Sequence, residues 1–282
     1  MYRCTQLLCL SVVLLCLLRP AAAAPERIVA AGGSVTEVLF ALGLGDQLVA
    51  VDTSSLYPEA ATRLPKIGYY RQLSPEGVLA QQPTVLVGHG QMGPAEVLAQ
   101  IAAMGVEVVN VPHGYQTDSL YQLITTLAQR FNRQPQGASL IADIRQQLSQ
   151  LNVKPAAPVA MAFLVSVGER GLMAAGSNTM PAALFDSAGI TNAFGTVSGY
   201  QPVSVEALMA GAPKRLLVPS HAAAGQSAAQ LCQLPALRFW AQQQGCQLSI
   251  VDPLIFMGLS PRLPQAVAQL QQLAQAQAKT DE

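Results

Sequence analysis

The chain has 282 residues, of which 51% are hydrophobic and 11% charged, with 16 basic side chains against 16 acidic ones. So neutral a chain offers no basic face for counterion release from nucleic acid, and it is too apolar to be intrinsically disordered. Its length suits one large domain or two of ordinary size, and its apolar excess makes membrane spans the first question.

Residues 7–18 read LLCLSVVLLCLL, with Arg3 before them and Arg19-Pro20 and a run of alanines after. A positive start, a short apolar run and small residues make a secretory signal peptide. The run falls short of the roughly 20 residues that a bilayer span needs. Cleavage is expected after Ala23, so residues 1–23 form the signal. A lipoprotein reading is weaker because Cys16 lies inside the apolar run, and an uncleaved anchor is the other alternative. No later segment reaches 18 uninterrupted apolar residues, so a soluble mature protein is expected. Loss of Arg3 and Arg19 leaves 14 basic against 16 acidic residues, and Cys232 and Cys246 become the two remaining thiols. An exported chain meets an oxidising compartment, which predicts a Cys232–Cys246 disulfide; two buried free thiols are the alternative.

Beyond the signal, strands are expected near 27–31, 48–51, 84–88 and 106–111, with helices near 34–43, 75–81, 94–104 and 117–131. A helix over 135–154 follows, because Leu140, Ile141, Ile144, Leu148 and Leu151 recur at helical spacing and Pro135 suits the first turn. Next come strands near 158–165, 190–194, 215–219 and 247–252, and helices near 179–188, 204–211, 225–231, 235–244 and 261–278. Strand–helix alternation predicts an α/β fold: two Rossmann-like lobes with parallel sheets, at 24–134 and 155–282, joined by one long helix. A ligand would sit in the cleft between the lobes.

The chain also echoes itself. SPEGVLAQQPTVLV from Ser74 matches SVEALMAGAPKRLLV from Ser204 at a shift of 130, pairing Glu76 with Glu206 and Pro83 with Pro213. In each copy Ser caps a short helix, Glu sits in its first turn and Pro ends it before an apolar strand. Two further echoes in the same order, at 105–112 with 247–253 and at 36–51 with 181–194, favour two similar lobes.

Enzyme signatures are scarce, with no G-x-S-x-G elbow, Walker loop or His-Glu-x-x-His helix. Gly43-Leu-Gly45 reads as a helix stop. His89, His113 and His221 each follow or end an apolar strand, on the edge where ligands bind, but they contain no spaced metal motif. The sharper feature is Gly68-Tyr69-Tyr70-Arg71-Gln72-Leu73. Its plain reading is an aromatic loop packed on its own lobe. Its functional reading is ligation, since a phenolate suits ferric iron and a guanidinium pairs with a ligand carboxylate.

RIVAAGGSVTEVLFALGLGDQLVAVD, then LYPEAATRLPKIGYYRQLSPEGVLAQQPTVLVG and VDPLIFMGLSPRLPQAV, resemble the periplasmic haem-binding proteins of bacterial ABC haem importers, a family of class III solute-binding proteins. The resemblance implies haem b as transported ligand, with Tyr69 on the iron and Arg71 on a propionate. Tyr70 stands where the family has an apolar residue, which implies a cleft-wall role. Glu76 and Glu206 would dock on arginines of an inner-membrane permease dimer; otherwise they are ordinary first-turn glutamates. Some members supply a histidine from the second lobe, but the corresponding loop here, Val165–Gly171, contains none. The iron is then five-coordinate, or His221 is the best substitute, with His89 and Met92 behind it. The resemblance thus implies a monomeric periplasmic carrier without enzymatic activity. The alternatives are the same scaffold carrying cobalamin or a ferric siderophore, a secreted α/β enzyme, and a haem store without a permease.

Overall fold

The computed structural model describes residues 25–112, 114–151, 159–168 and 171–278. The signal segment, His113, Pro155, and Glu169 and Arg170 of the Val165–Gly171 loop lie outside the described residues.

The first lobe contains β1 (Ile28–Ala31), β2 (Leu48–Val51), β3 (Val85–His89) and β4 (Glu107–Val111). They form an all-parallel sheet in the order β2-β1-β3-β4. Near-continuous burial of β1 and β3 is what a sheet covered on both faces demands. The connecting helices are α1 (Gly33–Ala41), α2 (Glu59–Thr62), α3 (Pro75–Leu79), α4 (Ala95–Ala103) and α5 (Thr117–Arg130). The long helix α6 (Gln134–Gln150) follows, with Pro135 in its first turn. Its Ile144 is buried, and Leu140, Ile141, Leu148 and Leu151 pack beside it. Gly137 permits the close crossing with α5, since a Cβ there would meet the Ala128 methyl at 2.6 Å.

The second lobe contains β5 (Ala160–Ser166), β6 (Leu172–Ala175), α7 (Met180–Ala188), β7 (Thr191–Asn192), β8 (Tyr200–Val203) and α8 (Val205–Gly211). It continues with β9 (Arg215–Pro219), α9 (Ser220–Ala223), α10 (Ala228–Cys232), α11 (Pro235–Gln244), β10 (Leu248–Val251), α12 (Pro253–Phe256) and α13 (Leu263–Ala278). The expectation of a wholly parallel second sheet is corrected. β10, β9, β5 and β7 pair in parallel, whereas β6 and β8 join antiparallel on the far edge of β5. One edge of β5 serves two partners: Ala160 and Met161 hold β7, and Leu164 and Ser166 hold β6. Gly168 and Gly171, both at positive φ, turn the chain back after β5. The strand expected at 190–194 shrinks to two residues, because β6 takes over that edge.

Without the β6–β8 insertion, the order β7-β5-β9-β10 repeats β2-β1-β3-β4. The sequence echo has its structural counterpart. Ser74 Oγ accepts from Gly77 N and Ser204 Oγ from Ala207 N, each at 3.1 Å, so both helices start on the same cap.

A single apolar cluster joins the lobes. It includes Ile28 and Val87 of the first sheet, Ile144 of α6, Phe163 and Phe185 of the second lobe, and Phe256 and Leu270 near the C-terminus. Burying each such side chain contributes about 1.5–3 kcal/mol, so separating the lobes would be costly. Cys232 and Cys246 form a disulfide with Cα atoms 5.9 Å apart, tying α10 to the start of β10. Among the described residues no helix is long and apolar enough to cross a membrane.

Candidate functional site

The loops after the parallel strands of both lobes face a cavity of about 500 Å³. Tyr57, Tyr69, Arg71 and His89 line it from the first lobe, and Val165, Met173, Tyr200 and Met257 from the second. The volume lies within the range of small-molecule sites, and the mixed lining of apolar walls with a few polar groups is typical of them.

The Gly68–Leu73 loop is built to project two side chains. Gly68 adopts φ 91, a left-handed conformation that only glycine takes without strain. Its carbonyl accepts from Thr53 N at 2.9 Å, and the Tyr70 carbonyl accepts from Gly93 N at 3.0 Å. Ile67, Tyr70 and Leu73 sink into the first-lobe core. With those three as anchors, Tyr69 and Arg71 remain outside, and Tyr69 is 41% exposed at the cavity.

Tyr70 is the pivot of this loop. Its ring meets Tyr69 and His89 edge-on, with centroids 4.7 and 4.9 Å away. Its hydroxyl accepts from Arg71 Nε at 3.0 Å. Burial, with help from the Tyr69 phenol, pushes the Tyr70 pKa up to about 12. Tyr70 is therefore a neutral wall and donor, and it does not serve as a phenolate. Burial likewise raises Tyr200, on β8, to about 12.

The candidate sixth ligands separate. His89 ends β3 and lines the cavity, where its imidazole sits against Gly32. His221, the best substitute that the resemblance implies, lies elsewhere: β9 ends at Pro219, α9 starts at once, and His221 is exposed outside the cavity lining. Met92 is also absent from the lining; it is buried in the first-lobe core against Gly88. Glu76 and Glu206 stand exposed in the first turns of α3 and α8. Hydrogen bonds from its own backbone N–H and from Ser204 lower the Glu206 pKa.

Three further features carry no obvious sequence signal or only a faint one. Arg262, just before α13, reaches across to Glu37 of α1 with Nε–Oε2 at 2.9 Å and Nη2–Oε1 at 2.6 Å. Its guanidinium carbon lies 4.0 Å from the Tyr57 ring centroid, and Glu37 and Tyr57 both line the cavity. Asp52 is fully buried and accepts from Gly32 N, Ser54 N, Ser54 Oγ and Ser55 Oγ, fixing the loops after β1 and β2. An acid directly after the apolar run LVAV hints at that role. Gln91 bridges Arg71 and Tyr115.

The family model for "Periplasmic binding protein" matches residues 28–243, and the chain belongs to that family of two-lobed, solute-binding proteins. Among solved structures, it is similar to the periplasmic heme-binding protein RhuT from Roseiflexus sp. RS-1 in apo form. That match has 32% identity and a TM-score of 0.82, covering 90% of this chain and 100% of the other. It is similar as well to the periplasmic heme-binding protein BhuT in complex with two hemes, at 30% identity and a TM-score of 0.83, covering 89% of this chain and 99% of that one. A curated relative, the vitamin B12-binding protein of Vibrio parahaemolyticus, is 28% identical over 216 residues, 76% of this chain and 78% of its own.

Proposed function

We propose that this protein captures haem in the periplasm and delivers it to an inner-membrane ABC permease as part of iron acquisition. The observation that carries the reading is an exposed phenol, Tyr69, and a guanidinium, Arg71, side by side on the wall of the interlobe cavity. A ferric porphyrin needs an oxygen ligand for its iron, an apolar cleft for its ring and cations for its carboxylates. Tyr69 is the axial ligand and Arg71 binds a propionate. His89 is the candidate for the sixth position in place of His221 and Met92. The signal peptide 1–23 directs export and is removed. Lobe boundaries at 134 and 155 bracket the connecting helix, and the carrier acts as a monomer by capture and hand-off without covalent chemistry. The haem-binding names of relatives at 30–32% identity support this reading.

Cobalamin is the second reading, favoured by the vitamin B12-binding names of curated relatives at 27–28% identity. We weight the haem reading more heavily because it uses the Tyr69–Arg71 pair, and because the haem-binding structures are 30–32% identical to this chain. Hemin and cyanocobalamin offered in competition separate the two. Tight hemin binding with no displacement by the corrinoid is expected, and the reverse order would replace haem with cobalamin. Glu76 and Glu206 are the docking carboxylates. Reversing both charges is expected to abolish permease-dependent uptake while hemin binding stays unchanged; unaffected uptake would favour a haem store.

A further inference from the structure

Beside the main cavity lies a smaller one of about 90 Å³. Tyr70, Arg71, His89 and Tyr200 line both, so the two adjoin. Gln91, Tyr115 and Ser119 line the smaller one alone. Its volume has room for a carboxylate with its adjoining carbon.

Two of the polar groups around it, Arg71 and Tyr70, converge on one oxygen. Gln91 Oε1 accepts from Arg71 Nη2 and, at 3.4 Å, from the Tyr70 hydroxyl. Gln91 Nε2 donates to the Tyr115 hydroxyl at 3.4 Å. Tyr200 lines the same cavity from the second lobe. The amide oxygen of Gln91 therefore receives the donors that a carboxylate oxygen would receive, and without a negative charge of its own.

We propose that Arg71 and Tyr70, joined by Tyr200 of the second lobe, form a carboxylate subsite spanning both lobes, in which Gln91 stands in for the incoming carboxylate. Rotation of the Gln91 side chain hands the Arg71 and Tyr70 donors to the ligand, while Tyr200 adds a donor from the opposite lobe. Tyr200 stays protonated well above neutral pH and so acts as a donor. Seating one carboxylate between the lobes also fixes which edge of the ligand enters first. The proposal rests on the haem reading above and adds to it the groups that read the propionate.

The test compares hemin with hemin dimethyl ester, whose carboxylates are capped, on the full mature protein. Wild type should prefer hemin by at least about tenfold. Gln91→Glu places a permanent carboxylate beside Arg71, so hemin affinity should fall about tenfold while ester affinity holds. Tyr200→Phe should reduce the hemin-to-ester preference several-fold, with the ferric spectrum unchanged. A preference untouched by both substitutions would overturn the subsite and leave the haem reading standing; equal wild-type affinity for hemin and ester would overturn the subsite together with the propionate role of Arg71, and leave Tyr69 as the iron ligand. Binding of neither porphyrin would overturn both. Gln91→Ala, which removes the stand-in without adding charge, is expected to retain the preference for hemin over the ester. Its loss of that preference would also count against the stand-in role.

Discussion

Removing Arg262 should destabilise the protein more than removing any other single surface-reaching side chain of the cleft. The Arg262 and Glu37 side chains are 13% and 7% exposed and joined by two hydrogen bonds, so their attraction is little screened by solvent. Arg262→Ala leaves the Glu37 carboxylate nearly buried without its cation, and removing one partner of a buried pair costs about 3–5 kcal/mol. Loss of the Tyr57 stacking and of the bond to the Leu254 carbonyl adds to this. Glu37→Ala should cost less, because Arg262 retains both of those contacts. Urea unfolding monitored at Trp240, with Glu37→Ala, Arg262→Ala and the double variant, gives the coupling directly. A coupling of about 2 kcal/mol or more is expected. In heat, Arg262→Ala should lower Tm by about 2–4 °C for each kcal/mol lost. Additive single losses, with coupling below about 0.5 kcal/mol, would refute the idea that this pair fastens the lobes.

Spectrophotometric titration of the tyrosines should find two late phenols near pH 12, and Tyr70→Phe and Tyr200→Phe should each delete one. Because Tyr70 is raised above the ordinary value of 10.0, its contribution to stability is complete below pH 10 and lost as pH rises toward 12, so Tyr70→Phe should flatten alkaline unfolding there. Intact mass should rise by two daltons on reduction, and replacing Cys232 and Cys246 by Ala should cost about 3 kcal/mol for a loop of this length, measured by denaturation. Met92→Leu and His221→Ala should leave the hemin spectrum unchanged, since neither side chain lines the cleft, whereas His89→Ala should perturb it. A spectrum altered by His221→Ala alone would restore that residue as a ligand.

Much of the architecture was legible because it rests on local physics. The expected helix at 235–244 coincides with Pro235–Gln244, and the strand at 215–219 with Arg215–Pro219. Apolar runs closed by proline, and serine caps at Ser74 and Ser204, mark these elements without any tertiary information. The Tyr69–Arg71 loop stood out for the same reason, since two adjacent tyrosines and an arginine in a short segment are a local feature. The β6–β8 insertion was illegible: each strand has four residues, and their pairing depends on where the Gly168 turn returns the chain. That insertion delivers Tyr200 to the cleft, so its role was hidden too. Glu37 and Arg262 lie 225 residues apart, and neither side chain carries a mark of its partner. His221 was misplaced because a strand end alone does not say which way the next turn faces; α9 begins immediately and holds the imidazole outside the cleft lining.

The most direct test adds hemin to purified wild-type protein and to Tyr69→Phe and records the ferric absorption spectrum. Wild type should bind hemin with a tyrosinate-type spectrum, and Tyr69→Phe should lose that spectrum together with most of the affinity. An unchanged spectrum and affinity in Tyr69→Phe would contradict the assignment of Tyr69 as the iron ligand, and with it the account of this cleft as a haem site built on that loop.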